Sequence, residues 1–202
     1  SYPDHARAVM VLGLPLIGGH LAQFAVGLSD TVMLGWYSVD ALAAVTLAHG
    51  AFFAVFMLGS GFALAVMPMV AASDALGDDT GTRRATRMGL WLSVAFAALA
   101  LPLFRWSRTI LESLGQTTEV AENAADYLRI VGWGLLPALV VMVLKSYLAA
   151  LELTRIVLWV TVGGAAINVL GNYVLIFGHF GAPGLGLQGA AIASIVTHAL
   201  EG

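Results

Sequence analysis

The sequence contains no cysteine, and this absence excludes disulfide bonds, thiolate nucleophiles and cysteine-ligated metal sites. Charged residues are also few: Asp, Glu, Lys and Arg make up 10% of the 202 residues, against about 25% in a typical soluble domain. The net charge is −3 and there is no basic tail, so nothing predicts binding to nucleic acid. What remains is mostly apolar, at 59% of the chain, and this composition predicts an integral membrane protein.

Runs without a charged residue predict where the chain crosses the membrane. About 20 apolar residues span a bilayer, and the last run, from Ile156 to Leu200, is long enough for two spans. The stretch GHFGAPGLG at 178–186 divides this run, because its glycines and proline favour a turn. We therefore predict an all-α fold with six transmembrane helices in a single domain, at 8–35, 41–71, 87–106, 124–150, 156–178 and 186–202. The sixth helix meets the end of the chain before reaching about 20 residues, so we expect a fragment of a longer protein.

The distribution of Lys and Arg among the loops predicts the orientation. Short cytoplasmic loops carry an excess of these residues. The side of the N-terminus has five of them, whereas the opposite side has three, accompanied by four acidic residues; the five are Arg7, Arg83, Arg84, Arg87 and Arg155. We therefore expect the N-terminus to be cytoplasmic.

Asp30 is a carboxylate within the first predicted span. If Trp36 and Tyr37 mark the outer membrane interface, Asp30 lies about 9 Å deeper, at 1.5 Å per helical residue. Acidic side chains at this depth are costly and usually line a pathway for ions or substrates. One interpretation is that Asp30 binds a cation, a proton or a cationic solute. The alternative is that Asp30 is paired or protonated and fixes helix packing, or caps the next segment.

Pro15 lies in the same predicted helix, about 22 Å from Asp30. Proline within a helix removes one backbone hydrogen bond and clashes with the preceding turn, so we expect a bend. This bend could be a moving hinge, or a static kink whose freed carbonyl group is satisfied by neighbouring helices.

Two amides in the fifth predicted helix, Asn168 and Asn172, are four residues apart and therefore share one helical face. They could hold helices together, an interaction worth about 0.6 kcal/mol each in membranes. Alternatively, they complete a polar patch with Asp30. Ser194 of the sixth helix could join this patch, although a small hydroxyl among small residues also serves close packing.

Three blocks of the sequence resemble the multidrug and toxic compound extrusion (MATE) family, and within it the norfloxacin-resistance (NorM-like) branch. They are SDTVMLGWYSVDALAAVTLA (29–48), GSGFALAVMPMVAASDALGDD (59–79) and NVLGNYVLIFGHFGAPGLGLQGAAIAS (168–194). The resemblance covers nearly the whole chain. It implies the N-terminal lobe of a 12-helix antiporter that exports amphipathic, often cationic compounds in exchange for Na⁺ or H⁺.

The resemblance also implies roles for particular residues. The family's first-helix acid corresponds to Asp30, its bending proline to Pro15, its fifth-helix polar pair to Asn168 and Asn172, and its sixth-helix threonine to Ser194. It implies as partners the membrane lipids of a bacterial inner membrane, small cationic drug-like substrates and a C-terminal six-helix lobe. No cofactor is expected beyond the coupling ion, and no metal beyond a Na⁺ at Asp30.

Two positions depart from the family's pattern. Members for which a first-lobe proton relay is proposed have a second carboxylate where this chain has Asn172, and a tyrosine one turn before the acid, where it has Val26. An amide cannot take up a proton in this way. We therefore expect Asp30 to be the only acid of the cavity, with protons and cations competing for it.

Three other functions compete with transport. Six helices in 202 residues is the size of a rhomboid-type serine protease, but Ser60 in LGSGFA lacks the first glycine of the expected Gly-x-Ser-Gly, and a serine nucleophile needs a positioned base. We therefore predict that the chain is not an enzyme. A lipid-linked oligosaccharide flippase of the same superfamily would need a more cationic cavity, and an inactive structural half-transporter is the third alternative.

Overall fold

The computed structural model describes residues 2–37, 39–178, 185 and 187–201. Within these ranges the side chains of Asp30, His198 and some others near either end lie outside the description. Every regular element among the described residues is helical. The elements are α1 (Tyr2–Tyr37), α2 (Val39–Ala75), α3 (Asp79–Arg105), α4 (Ser107–Ser113), α5 (Thr118–Val131), α6 (Leu135–Ala150), α7 (Thr154–Phe177) and α8 (Leu187–Glu201), with a 3₁₀ turn (Gly132–Gly134) joining α5 to α6.

The helices have the length and composition of membrane spans. Among the described residues, five stretches are long and apolar enough to cross a bilayer: Val9–Trp36, Leu42–Ala75, Asp79–Arg105, Thr118–Ala150 and Thr154–Phe177. Helix α8 adds a shorter apolar stretch, Gln188–Thr197. Large apolar side chains such as Phe24, Leu99 and Trp159 are exposed on the outside, as expected of a surface that faces lipid tails. The prediction of an all-α integral membrane protein is confirmed.

Helix α3 begins earlier than the predicted span at 87–106. The carboxylate of Asp78 accepts a hydrogen bond from the backbone N–H of Gly81 at 2.9 Å, which caps the first turn. Arg83 and Arg84 lie exposed on that first part of the helix. The charge-free run placed the start too late because it treated these arginines as loop residues.

Helix α4 was not predicted, and it packs against α5. Within α4, Arg108 Nε donates to Glu112 at 3.1 Å, and one terminal nitrogen of Arg108 lies 3.3 Å from a carboxylate oxygen of Glu122 in α5. The hydrogen bond to Glu112, together with the negative charges of Glu122 and Glu112, raises the pKa of Arg108. All three side chains are exposed enough for water to screen these ion pairs, so the buried Leu111 contributes more to holding α4 in place.

Small residues bring α2 and α5 together. Ala44 and Ala48 of α2 and Ala124 of α5 are fully buried in one core cluster. Side chains of this size let two helices approach closely. The next residue of α2, His49, consequently lies beside Tyr127, which is one turn beyond Ala124.

A second group of buried residues joins α2, α3 and α6. This packed cluster consists of Ala63, Val66, Val70, Ala85 and Val143. A Cβ atom placed on Gly89 would be 2.5 Å from Val66 Cγ2, and one placed on Gly59 would be 2.6 Å from Phe96 Cε1. The helices therefore meet here without room for a further methyl group.

Candidate functional site

The helices α1, α2, α5, α7 and α8 surround a partly open cavity of about 510 Å³. Phe52, Phe53 and Val131 form an apolar wall. The polar residues of the lining are His49, Tyr127, Thr161, Asn168, Ser194 and Thr197. A site of this size with an apolar wall and a few polar groups is typical of small-molecule binding.

Asp30 belongs to α1, but its side chain lies outside the described residues. Two residues of the preceding turn, Val26 and Gly27, line the cavity. Residues three and four positions apart share a helical face, so the position of Asp30 in α1 is one turn further along that face. Its role in binding stays a prediction.

Pro15 lies within α1, which runs without interruption from Tyr2 to Tyr37. It lines a groove with Arg7 and Arg155 that is separate from the cavity. Just beyond it, α1 packs closely on α7, since a Cβ atom on Gly18 would be 3.0 Å from Leu158 Cδ1. The predicted hinge therefore lies at the start of a tight helix–helix contact, and its movement stays a prediction.

The two amides of α7 form a hydrogen-bonded pair. Asn172 Nδ2 donates to Asn168 Oδ1 at 2.9 Å, and both residues are buried. Asn168 lines the cavity, whereas Asn172 lies behind it and is not among the lining residues. The structure thus joins the predicted pair and places only one member at the cavity surface.

Three hydroxyl groups of the lining donate their hydrogen atoms to their own helices. Thr161 Oγ1 donates to the carbonyl oxygen of Val157 at 2.8 Å, in α7. In α8, Ser194 Oγ donates to Ala190 at 3.0 Å and Thr197 Oγ1 donates to Ala193 at 2.9 Å. A hydroxyl whose hydrogen is engaged in this way has only acceptor lone pairs left to offer. The cavity therefore presents oxygen acceptors, which suit cations and hydrogen-bond donors.

His49 and Tyr127 are polar lining residues that sequence reasoning missed. His49 Nε2 lies 2.8 Å from the Tyr127 hydroxyl oxygen, and the two rings meet edge-on with their centroids 5.5 Å apart. They are 78 positions apart in the chain, so no local spacing links them. A signal lay in the alanines that precede each residue, which mark the close contact between α2 and α5.

The described residues show no conventional metal centre. No three of their His, Cys, Asp or Glu side chains lie close enough to hold a metal ion together. The oxygen acceptors contributed by Thr161, Ser194 and Thr197 are neutral. Such a set favours a weakly held monovalent cation or an organic cation over a transition metal, which prefers imidazole or thiolate ligands.

Several known proteins are similar to this chain. A protein-family model described as MatE matches residues 15–174. The chain is 45% identical over 201 residues to the probable multidrug resistance protein NorM of Agrobacterium fabrum, covering 100% of this chain and 43% of that protein. It is 44% identical over 195 residues to the protein of the same name from Rhizobium meliloti, covering 96% of this chain and 42% of that protein.

The fold also has solved counterparts. An outward-facing structure of a multidrug resistance MATE family transporter of the MOP superfamily matches with a TM-score of 0.85 at 22% identity, covering 96% of this chain and 42% of that chain. At this identity the match shows the fold alone. The chain spans less than half of the length of the curated relatives it matches.

Proposed function

The chain belongs to the MatE family of multidrug and toxic compound extrusion transporters, and we propose that it forms one lobe of an antiporter that exports amphipathic or cationic compounds. Membership of a transporter family agrees with the prediction that the chain is not an enzyme. The chain is a multi-pass membrane protein. We further propose that it works with a second six-helix lobe, in a bacterial inner membrane, with its N-terminus in the cytoplasm.

The observation that carries this proposal is the chemistry of the cavity. The hydroxyl oxygens of Thr161, Ser194 and Thr197 are available only as acceptors, because their hydrogens bond to backbone carbonyls. Phe52 and Phe53 supply aromatic surface beside them, and aromatic faces attract cations. An amphipathic cation therefore finds both apolar contact and oxygen acceptors here.

We assign the charge of the site to Asp30. A carboxylate on α1, one turn beyond Val26 and Gly27, would attract a cation when ionised and release it when protonated. The coupling ion, Na⁺ or H⁺, would then compete with the exported compound for the same negative charge. Such an exchange drives transport only if the bound ion favours a different conformation from the bound compound.

The conformational step in this proposal is a bend of α1 at Pro15. The contact of Gly18 with Leu158 of α7 ties the adjacent part of α1 to the cavity helices. A bend at Pro15 would therefore alter the packing of α1 on α7, which carries Thr161 and Asn168. In this proposal, neutralisation of Asp30 permits the bend, and its protonation would thereby change the shape of the cavity.

A lipid-linked oligosaccharide flippase receives no support from the cavity. A diphosphate-linked substrate requires cationic side chains to bind its phosphates. The described lining residues include neither Lys nor Arg. Their acceptor oxygens would instead repel an anionic group.

The proposal is tested by efflux of ethidium, a fluorescent cation, from cells that express the chain together with its second lobe. We expect Asp30→Asn to reduce efflux about 10-fold or more, since an interaction with a charged group is worth about 1.5–3 kcal/mol. Asp126→Asn is the matched control, because Asp126 is exposed and paired with Arg129 outside the cavity. Varying Na⁺ and pH separately identifies the coupling ion.

Each outcome has a clear meaning. Loss of efflux in Asp30→Asn but not in Asp126→Asn would show that transport requires the negative charge of Asp30 on α1. Equal efflux in all three proteins would make Asp30 a packing residue and refute its assigned role. Absence of efflux from the wild-type protein, at normal expression, would favour an inactive structural lobe.

A further inference from the structure

The proposed export mechanism does not use the pair formed by His49 and Tyr127. These are the two titratable residues among the described lining of the cavity. Their contact is specific, with a 2.8 Å separation between Nε2 and the hydroxyl oxygen. It also ties α2 to α5 at the cavity wall.

We propose that His49 is a proton-binding residue of the cavity, and that a proton on its imidazole ring opposes the binding of a cationic compound. This inference rests on the proposed export function. It supplies a second ionisable group beside Asp30, since the amide of Asn172 cannot take up a proton in this way. The proton and the exported cation would then compete through like charge as well as through Asp30.

The electrostatic argument starts from the surroundings of His49. The lining groups on the facing helices are neutral: Tyr127 on α5, Thr161 and Asn168 on α7, and Ser194 and Thr197 on α8. The described residues of α2 nearest in the lining are Gly50, Phe52 and Phe53, which are also uncharged. The side chains of Asp30 and His198 lie outside the description.

Charged residues beside Tyr127 do not enter the cavity lining. Asp126 and Arg129 are exposed on α5 and bond to each other at 3.1 Å. Within the described lining, therefore, no carboxylate offsets a positive imidazolium. Like charges repel, and they do so more strongly in a partly enclosed cavity than in bulk water, so protonated His49 would weaken the binding of a cation.

Protonation of His49 also changes the hydrogen bond that it shares with Tyr127. A neutral imidazole has one N–H, and the hydrogen bond between Nε2 and the Tyr127 hydroxyl can run in either direction. A protonated imidazole can only donate. Protonation therefore fixes Tyr127 as the acceptor, so that its own hydrogen must turn toward another partner. Tyr127 therefore positions the ring of His49, and the direction of their hydrogen bond depends on the charge of that ring.

The test measures ethidium binding by the purified two-lobe transporter as pH is lowered from about 8 to 5, the range in which histidine changes charge. We expect the wild-type affinity to fall about 5-fold or more across this range, the size of a typical coupling between two bound ligands. In His49→Gln, which keeps a hydrogen-bonding group but cannot ionise there, the ratio of the affinity at high pH to that at low pH should move toward one.

A pair of tyrosine variants separates positioning from packing. Tyr127→Phe keeps the ring and removes the hydroxyl, and we expect it to shift the midpoint of the pH profile. Tyr173→Phe makes the same change at an exposed position of α7 outside the cavity, and it should leave the profile unchanged. An unaltered pH profile in His49→Gln would overturn the proposal and attribute the dependence to another group.

A direct measurement keeps the inference testable if a variant does not fold or if ethidium does not bind. The imidazole signals of the ¹⁵N-histidine-labelled wild-type transporter are titrated by NMR with and without ethidium, and again with Na⁺. If ethidium binds at no pH, the export proposal fails, and Na⁺ becomes the test cation for His49. A histidine signal whose midpoint responds to the cation, and to Tyr127→Phe, supports the inference; midpoints that ignore both overturn it.

Discussion

The cavity and the packed cluster region each contain a hydroxyl group bonded to its own helix, but the surroundings of the two hydroxyls differ. In the packed cluster region, Ser93 Oγ donates to the carbonyl of Gly89 at 2.9 Å, just as Thr161 Oγ1 donates to Val157 beside the cavity. Both hydroxyls are buried. Around Gly89, which accepts the hydrogen bond of Ser93, side chains from α2 and α6 fill the space, whereas Thr161 adjoins an opening of about 510 Å³.

The two regions differ in how completely the space between their helices is filled. At Gly89 of α3, Val66 and Val143 fill the space where a side chain would be. At the cavity, Gly27 and Gly50 leave space, since a Cβ atom on either would meet nothing within 4 Å. A hydroxyl bonded to its own helix is therefore structural in one region and available to a ligand in the other.

The largest effect is expected from breaking the packed cluster. Gly89→Ala would place a methyl group 2.5 Å from Val66 Cγ2, and valine side chains have few alternative rotamers. We expect a loss of about 1–3 kcal/mol in stability, typical of overpacking. Thermal unfolding in detergent measures it. Gly61→Ala is the control, because a Cβ atom there meets nothing within 4 Å; equal melting temperatures for the two variants would contradict the tight packing.

An intermediate effect is expected from exchanging the hydroxyls themselves. Thr161→Val removes an acceptor oxygen from the cavity while keeping the shape of the side chain. We expect ethidium affinity to fall about 3- to 10-fold, corresponding to a net hydrogen bond of about 0.5–1.5 kcal/mol. Ser93→Ala removes a hydroxyl with the same helical bond from the packed region and should leave affinity unchanged. Equal losses in both variants would show that the hydroxyls act through helix structure alone.

The smallest effect is expected outside both regions, at the ion pairs of α4. Glu112 and Glu122 raise the pKa of Arg108, which stabilises its charged form. That contribution is fully present below the ordinary pKa of arginine, which lies far above neutrality, so it does not vary near neutral pH. We expect Arg108→Gln to lower the melting temperature only slightly, and less at high salt because exposed pairs are screened. A large loss that resists salt would contradict this.

Local patterns predicted the spans but not all of the cavity. Apolar runs of sufficient length define α1, α2 and α7, because the bilayer imposes a minimum apolar length on each. The four-residue spacing of Asn168 and Asn172 correctly predicted a shared face, since that is a property of one helix. The contact of His49 with Tyr127 depends on the packing of α2 on α5, which no spacing within either helix encodes. The short α4 carries no long apolar run and was missed for that reason.

The 3₁₀ turn between α5 and α6 rotates the directions in which side chains point on its two sides. A 3₁₀ turn advances about 120° per residue and an α-helix about 100°, so Gly132–Gly134 adds roughly 60° of rotation. Val131, before the turn, lines the cavity, whereas Val143, after it, belongs to the packed cluster. In an unbroken α-helix these two side chains would point about 120° apart, and the added rotation brings them close to opposite. One continuous span thereby turns one side to the open cavity and the other to the packed cluster.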